Sequence, residues 1–118
     1  MSDYKQLIVW QRAIAFSARP HIVAKTVPRH GAPGLKSQLL RAVASIHANI
    51  AEGSGASDAE YARFVTMSIG SANETENHLV HAIAIGFIDR QLGDLLLSEV
   101  QEIRRMLYGL RKYLLSSG

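Results

Sequence analysis

Residues 35–61, LKSQLLRAVASIHANIAEGSGASDAEY, hold the most regular pattern in the chain. Leu35, Leu39, Ala42, Val43, Ile46 and Ile50 recur at three- and four-residue intervals, the period that gathers side chains on one helix face. Gln38, Arg41, Ser45, Asn49 and Glu52 recur at spacings of 3, 4, 4 and 3 on an adjacent strip. Gly53, Ser54 and Gly55 then break the pattern, and Ser57 with Glu60 forms an S-x-x-E capping box ahead of Tyr61. The segment predicts a helix over 35–52 and a new helix from 58.

Two further breaks divide the rest. PRHGAPG at 28–34 is dense in proline and glycine, and Gly86 to Asp89 forms the other, with Asp89 placed to cap the last helix. Helices are predicted over 5–27, 35–52, 58–86 and 90–115. Short connections make sequential helices antiparallel, so the expected fold is all-α, an up-down-up-down antiparallel four-helix bundle. A length of 118 residues suits a single domain over 1–118.

The first helix carries two apolar stripes. Leu7, Ile14, Ala18 and Ile22 make one; Val9, Ala13, Phe16, Pro20, Val23 and Val27 make the other, on nearly the opposite side. A peripheral bundle helix needs one such stripe. The second is expected to bury against another copy, making Val9, Phe16 and Val23 candidate oligomer-interface residues; a wider internal core is the alternative.

Three polar groupings could carry function. On the second helix the strip from Gln38 to Glu52 reads as a groove of hydrogen-bonding groups or as a structural seam. The structural reading has Asn49 bonding backbone or side-chain groups at a helix junction and Glu52 pairing with a base or capping the third helix, with Gly53 as the stop. Glu76 intrudes on the apolar face of the third helix. A carboxylate there needs a cation, with Arg41 or Arg12 expected, and a catalytic acid is the alternative reading. Glu74, His78 and His81 share a helix face and could offer zinc ligands, but the signal is weak and a solvated surface is the favoured reading, because a single-helix site lacks a fourth partner.

Near the C-terminus, Arg104, Arg105, Tyr108, Arg111 and Lys112 interleave cations with an aromatic ring. Guanidinium groups suit phosphates and a tyrosine can stack a base, so these five are the candidate nucleic-acid-binding residues. An ordinary solvated helix end with cations near its negative dipole pole is the bland alternative.

Composition narrows the classes. The chain has no cysteine, which excludes a thiol nucleophile and a disulfide framework. Its net charge of +3 and pI near 9.5 argue only mildly for an acidic partner. No phosphate-binding loop, nucleophile elbow or metalloprotease helix occurs, so neither an enzyme nor a cofactor or metal is expected. No apolar run is long enough to span a membrane and no cleavable leader is evident, which predicts a cytoplasmic protein.

LIVWQ (7–11), TVP (26–28), GLKSQLLRAVASIHANIAEG (34–53), GSANETE (70–76) and RMLYGLRKYL (105–114) together resemble the bacterial four-helix-bundle family encoded in intervening sequences of large-subunit ribosomal RNA genes. The most specific element is Asn49-Ile50-Ala51-Glu52-Gly53 after Gln38, Arg41 and Ser45. The resemblance implies a homopentameric ring. It also implies kinship with accessory variability proteins of diversity-generating retroelements, whose partners include a reverse transcriptase and RNA or DNA. Leu40 stands where the family commonly has a second arginine, His47 replaces a proline or small residue, and Ala72 and Thr75 replace bulkier leucines. The resulting expectation is a non-enzymatic, RNA-binding accessory protein. The alternative is a structural or protein-interaction scaffold that binds no nucleic acid.

Overall fold

The computed structural model describes residues 3–24 and 34–116, with the backbone alone at 20–24. A 3-10 turn at Tyr4–Gln6 leads into α1 (Ile8–Ala24), followed by α2 (Leu35–Gly53), α3 (Asp58–Ala84) and α4 (Arg90–Ser116). Among the described residues there is no strand, so the chain is all-α with four α-helices. Residues 25–27 of the expected first helix lie outside the described residues.

Local chemistry sets the helix ends. Asp3 accepts from the Lys5 backbone N–H at 2.9 Å and closes the 3-10 turn, which delays α1 to Ile8. Ser57 caps α3, its Oγ accepting from the Glu60 N–H at 3.2 Å. Glu60 turns to Arg63 instead of completing the box, at 2.6 Å from its guanidinium. Asp89 accepts from the Gln91 and Leu92 N–H groups at 3.1 and 3.3 Å, capping α4 as its position suggests. The third helix stops two residues early. Gly86 adopts φ +80°, and the N–H groups of Phe87 and Ile88 fold back onto the Ala82 carbonyl, a left-handed helix stop that only glycine adopts without strain.

One hydrophobic core draws on all four helices, with Val43, Ile46, Ile50, Val65, Leu79, Leu96, Val100, Ile103 and Leu107 almost wholly removed from water. Each such side chain contributes roughly 1.5–3 kcal/mol of transfer free energy. Close approach of α2 to α3 depends on Gly53. A Cβ there would lie 2.7 Å from both Tyr61 Cδ1 and Phe64 Cβ. Higher in the same seam the Ser68 hydroxyl donates to the Ile46 carbonyl at 2.6 Å, satisfying a fully buried polar group.

The apolar faces of α1 are placed the other way round from the sequence expectation. Val9 (6% exposed), Ala13 (1%) and Phe16 (3%) lie inside the core of this one chain, whereas Ile14 is 37% exposed. Val9 and Phe16 are therefore not surface residues awaiting a partner; the side chain of Val23 lies outside the described residues. The cause is the late start of α1. Leu7 packs on the core from the turn before the helix, so the stripe through 9, 13 and 16 becomes the seam and the stripe through 14 and 18 turns outward.

Candidate nucleic-acid interface

Residues 104, 105, 108, 111 and 112 of α4 fall within one side of the helix, as spacings of one, three and four residues require. Their environments differ. The Arg104 guanidinium reaches across to α3, with Nη1 at 2.6 Å from Glu76 Oε1 and 2.9 Å from Asn73 Oδ1. Gln101 adds a bond to the other Glu76 oxygen at 2.8 Å. These hydrogen bonds, from Arg104 above all, hold the Glu76 carboxyl below its ordinary range. Arg105 is well exposed and paired with Glu102 one turn back on its own helix. That bond, aided by the more distant charge of Arg12, lowers the Glu102 pKa.

Arg111 is held differently. Its guanidinium carbon lies 4.9 Å from the centre of the Tyr108 ring, and its Nη1 donates to Thr66 Oγ1 of α3 at 3.1 Å. The Thr66 hydroxyl in turn donates to the Ala62 carbonyl at 3.0 Å, so it is oriented to accept. Tyr108 remains 46% exposed. Lys112 is exposed. Among the described residues neither Arg111 nor Lys112 is paired with a carboxylate. The strip is thus graded: its N-terminal arginines are internally neutralised and its C-terminal cations are not.

Glu76 does not meet Arg41 or Arg12. It faces α4, whereas Arg41 lies on the exposed side of α2 and Arg12 stands on α1 near Glu102. The polar strip of α2 is likewise turned on its own backbone. Asn49 Nδ2 donates to the Ser45 carbonyl and Ser45 Oγ to the Arg41 carbonyl, each at 2.9 Å, so Asn49 bonds within its helix and not at a junction. Glu52 is exposed and makes no ion pair among the described residues, and the cap of α3 is Ser57. Gln38 is also exposed at the first turn of α2. Gly53 belongs to the helix and acts by letting Tyr61 and Phe64 approach.

The other candidate cluster stays open. His78 Nε2 lies 3.9 Å from Glu74 Oε2 and His81 is exposed; among the described residues no three His, Asp or Glu side chains are arranged to hold a metal ion. The residues that the sequence reading missed are Asn73 and Thr66, which anchor Arg104 and Arg111. They lie on one face of α3, seven residues apart, as Arg104 and Arg111 do on α4. Matching those two intervals was the available signal.

The fold and this face define a small all-α protein whose α4 carries a strip of cations beside an exposed tyrosine. Residues 5–109 match the family described as 23S rRNA-intervening sequence protein, and the chain belongs to that family. A crystal structure of a protein of unknown function from the S23 ribosomal protein family of Bacteroides thetaiotaomicron is similar to it at 26% identity. The match covers 89% of this chain and 99% of that one, with a TM-score of 0.82. No curated protein matches the chain. Among the described residues no helix is long and apolar enough to cross a membrane.

Proposed function

We propose that this chain is a non-enzymatic, cytoplasmic accessory protein that binds nucleic acid, RNA foremost, through the α3–α4 face. The observation that carries the reading is Arg111, stacked on an exposed tyrosine and oriented by Thr66 with no carboxylate to neutralise it among the described residues. Such a group offers a phosphate clamp beside a stacking ring. The proposal includes an up-down-up-down antiparallel bundle as the folding unit. Support comes from the opposed order of contacts: Thr66, Asn73, Glu76 and Ile83 rise along α3 while their partners Arg111, Arg104, Gln101 and Gly93 fall along α4.

A homopentameric ring is the proposed assembly, with the exposed Ile8 and Ile14 of α1 supplying apolar contact in place of Val9 and Phe16. A reverse transcriptase or other protein partner, and kinship with accessory variability proteins, belong to the same proposal. The deciding experiment titrates a labelled single-stranded RNA at several salt concentrations. Binding whose log constant falls linearly with log salt supports the reading, because neutralised phosphates release condensed counterions. Absence of binding at low salt rejects it.

The second reading is a protein-interaction scaffold. It draws on the exposed Ile8 (65%), Val80 (51%) and Leu115 (61%), which fit a protein contact better than a phosphate backbone.

A further inference from the structure

The last turns of α3 and the first turns of α4 leave an apolar groove open between them. Val80, Ile83 and Ala84 of α3 and Leu97 of α4 wall it, Arg90 and Asp94 of α4 stand on its rim, and its volume is about 210 Å³. Val80 is 51% exposed there.

The rim charges are not explained by their own helix. Arg90 is the first residue of α4, at the positive pole of the helix dipole, where a cation is disfavoured and an acid would help. Asp94 follows one turn later, which gives the pair the weaker order for an ion pair at that spacing, base before acid. Both are exposed, and among the described residues neither side chain forms an ion pair or a hydrogen bond. Two free, opposite charges therefore flank an apolar opening.

A base and an acid one turn apart on an exposed helix face are complementary to the same surface turned end for end. A two-fold axis between them sets base against acid twice and brings the two apolar openings together, the self-complementary arrangement of a symmetric pair. We propose that a second copy of this chain covers the groove by such a contact, each copy's Arg90 pairing with the partner's Asp94 around Val80 and Ala84. The charge order selects this occupant, because a copy of the same surface supplies both charges at the required separation with apolar side chains between them. The groove lies toward the other end of α3 from Thr66 and Arg111, so the contact does not depend on the nucleic-acid reading. A ring closed through α1 would multiply the mass of every variant alike, and the ratio between variants reports on this contact alone.

The test measures assembled mass by sedimentation across a dilution series, for wild type, Arg90→Asp, Asp94→Arg, the double reversal Arg90→Asp/Asp94→Arg, and Val80→Asp. Dilution is needed because exposed ion pairs add little affinity. Wild type should reach twice the mass of either single reversal. Each single reversal faces like charges twice and should raise the dissociation constant of the pair about tenfold or more, while the double reversal should restore it. The two single variants, one acidic at both positions and the other basic at both, should pair one to one when mixed although neither pairs alone. Val80→Asp should also separate the copies, since a charge would be placed in the apolar contact. In dilute solution Arg90→Asp should melt no lower than wild type, because it removes a cation from the positive pole of α4; a lost contact is thereby told apart from a damaged fold. Wild type equal in mass to the single reversals at every concentration, or a mixture that fails to pair, overturns the contact. Separation by Val80→Asp alone, with both charge variants unaffected, assigns the groove to another occupant and overturns it as well.

Discussion

One guanidinium nitrogen of Arg104 contacts two side chains of α3, lying 2.6 Å from Glu76 Oε1 and 2.9 Å from Asn73 Oδ1. Both members of the ion pair are about one-quarter exposed, so the bond is sheltered without being sealed from water.

Glu76→Gln should therefore cost about 1 kcal/mol at neutral pH, between a surface ion pair and a buried one. The Glu76 pKa is depressed in the folded state, chiefly by the Arg104 hydrogen bond. Its contribution is complete above the ordinary carboxylate range and is lost as pH falls through the folded value. Urea midpoints of the wild type and the variant should differ most at about pH 7 and draw together as pH falls below the ordinary carboxylate range.

His47 supplies a second pH effect in a higher window. Partial burial lowers its pKa below the ordinary value near 6.5. The unfolded chain then takes up a proton before the folded one, so stability declines as pH drops below about 6.5. His47→Gln should flatten the stability profile between about pH 7 and pH 5; an unchanged slope would show that another group is responsible.

The two buried glycines should respond unequally to alanine. At Gly53 the new methyl meets Phe64 Cβ, which cannot move without the α3 backbone, and at Gly93 it meets Cγ1 and Cδ1 of Ile83, which move only if that side chain changes its χ1 rotamer. Overpacking of about 2–3 kcal/mol is expected for Gly53→Ala and a smaller loss, of about 1–2 kcal/mol, for Gly93→Ala, where a side chain and not a backbone must give way. Chemical denaturation of both variants checks the order.

Asn49→Ala should be mild. The amide bonds a carbonyl of its own helix, one already committed to the helical ladder, and alanine favours helix formation. The expected loss is no more than about 1 kcal/mol, with assembly intact. A larger loss in the urea midpoint would point to an intersubunit role for the amide.

Unequal neutralisation along α4 predicts unequal effects on nucleic-acid binding. Arg111→Ala should lower the slope of log binding constant against log salt by about 0.7 for a single strand, the contribution of one phosphate contact. Arg104→Ala should leave the slope nearly unchanged because Glu76 already occupies its charge. Equal changes in both variants would contradict the graded strip.

The second helix was legible because its apolar residues keep strict helical spacing between two clear breakers. The first was not, since both of its stripes satisfy the same periodicity. Choosing between them required knowing that Leu7 sits before the helix and supplies core contact from outside it. Glu76 was correctly read as needing a cation, but which cation depends on which helix it faces, and the carboxylate carries no such label. By contrast, Arg105 and Glu102 are three residues apart on one helix, so their pairing was available from spacing alone.

The Ser68–Ile46 hydrogen bond bears on how the helices can move. Apolar side chains between two helices tolerate gradual sliding, since dispersion is non-directional and one methyl group can take another's place. A hydroxyl cannot be shared in that way. Moving α2 along α3 by two residues' rise, about 3 Å, carries the Ile46 carbonyl out of reach and strands a fully buried donor at about 1–3 kcal/mol. That one oxygen acts as a detent. The pair is free to tilt or rotate slightly, while axial translation is locked at a single setting.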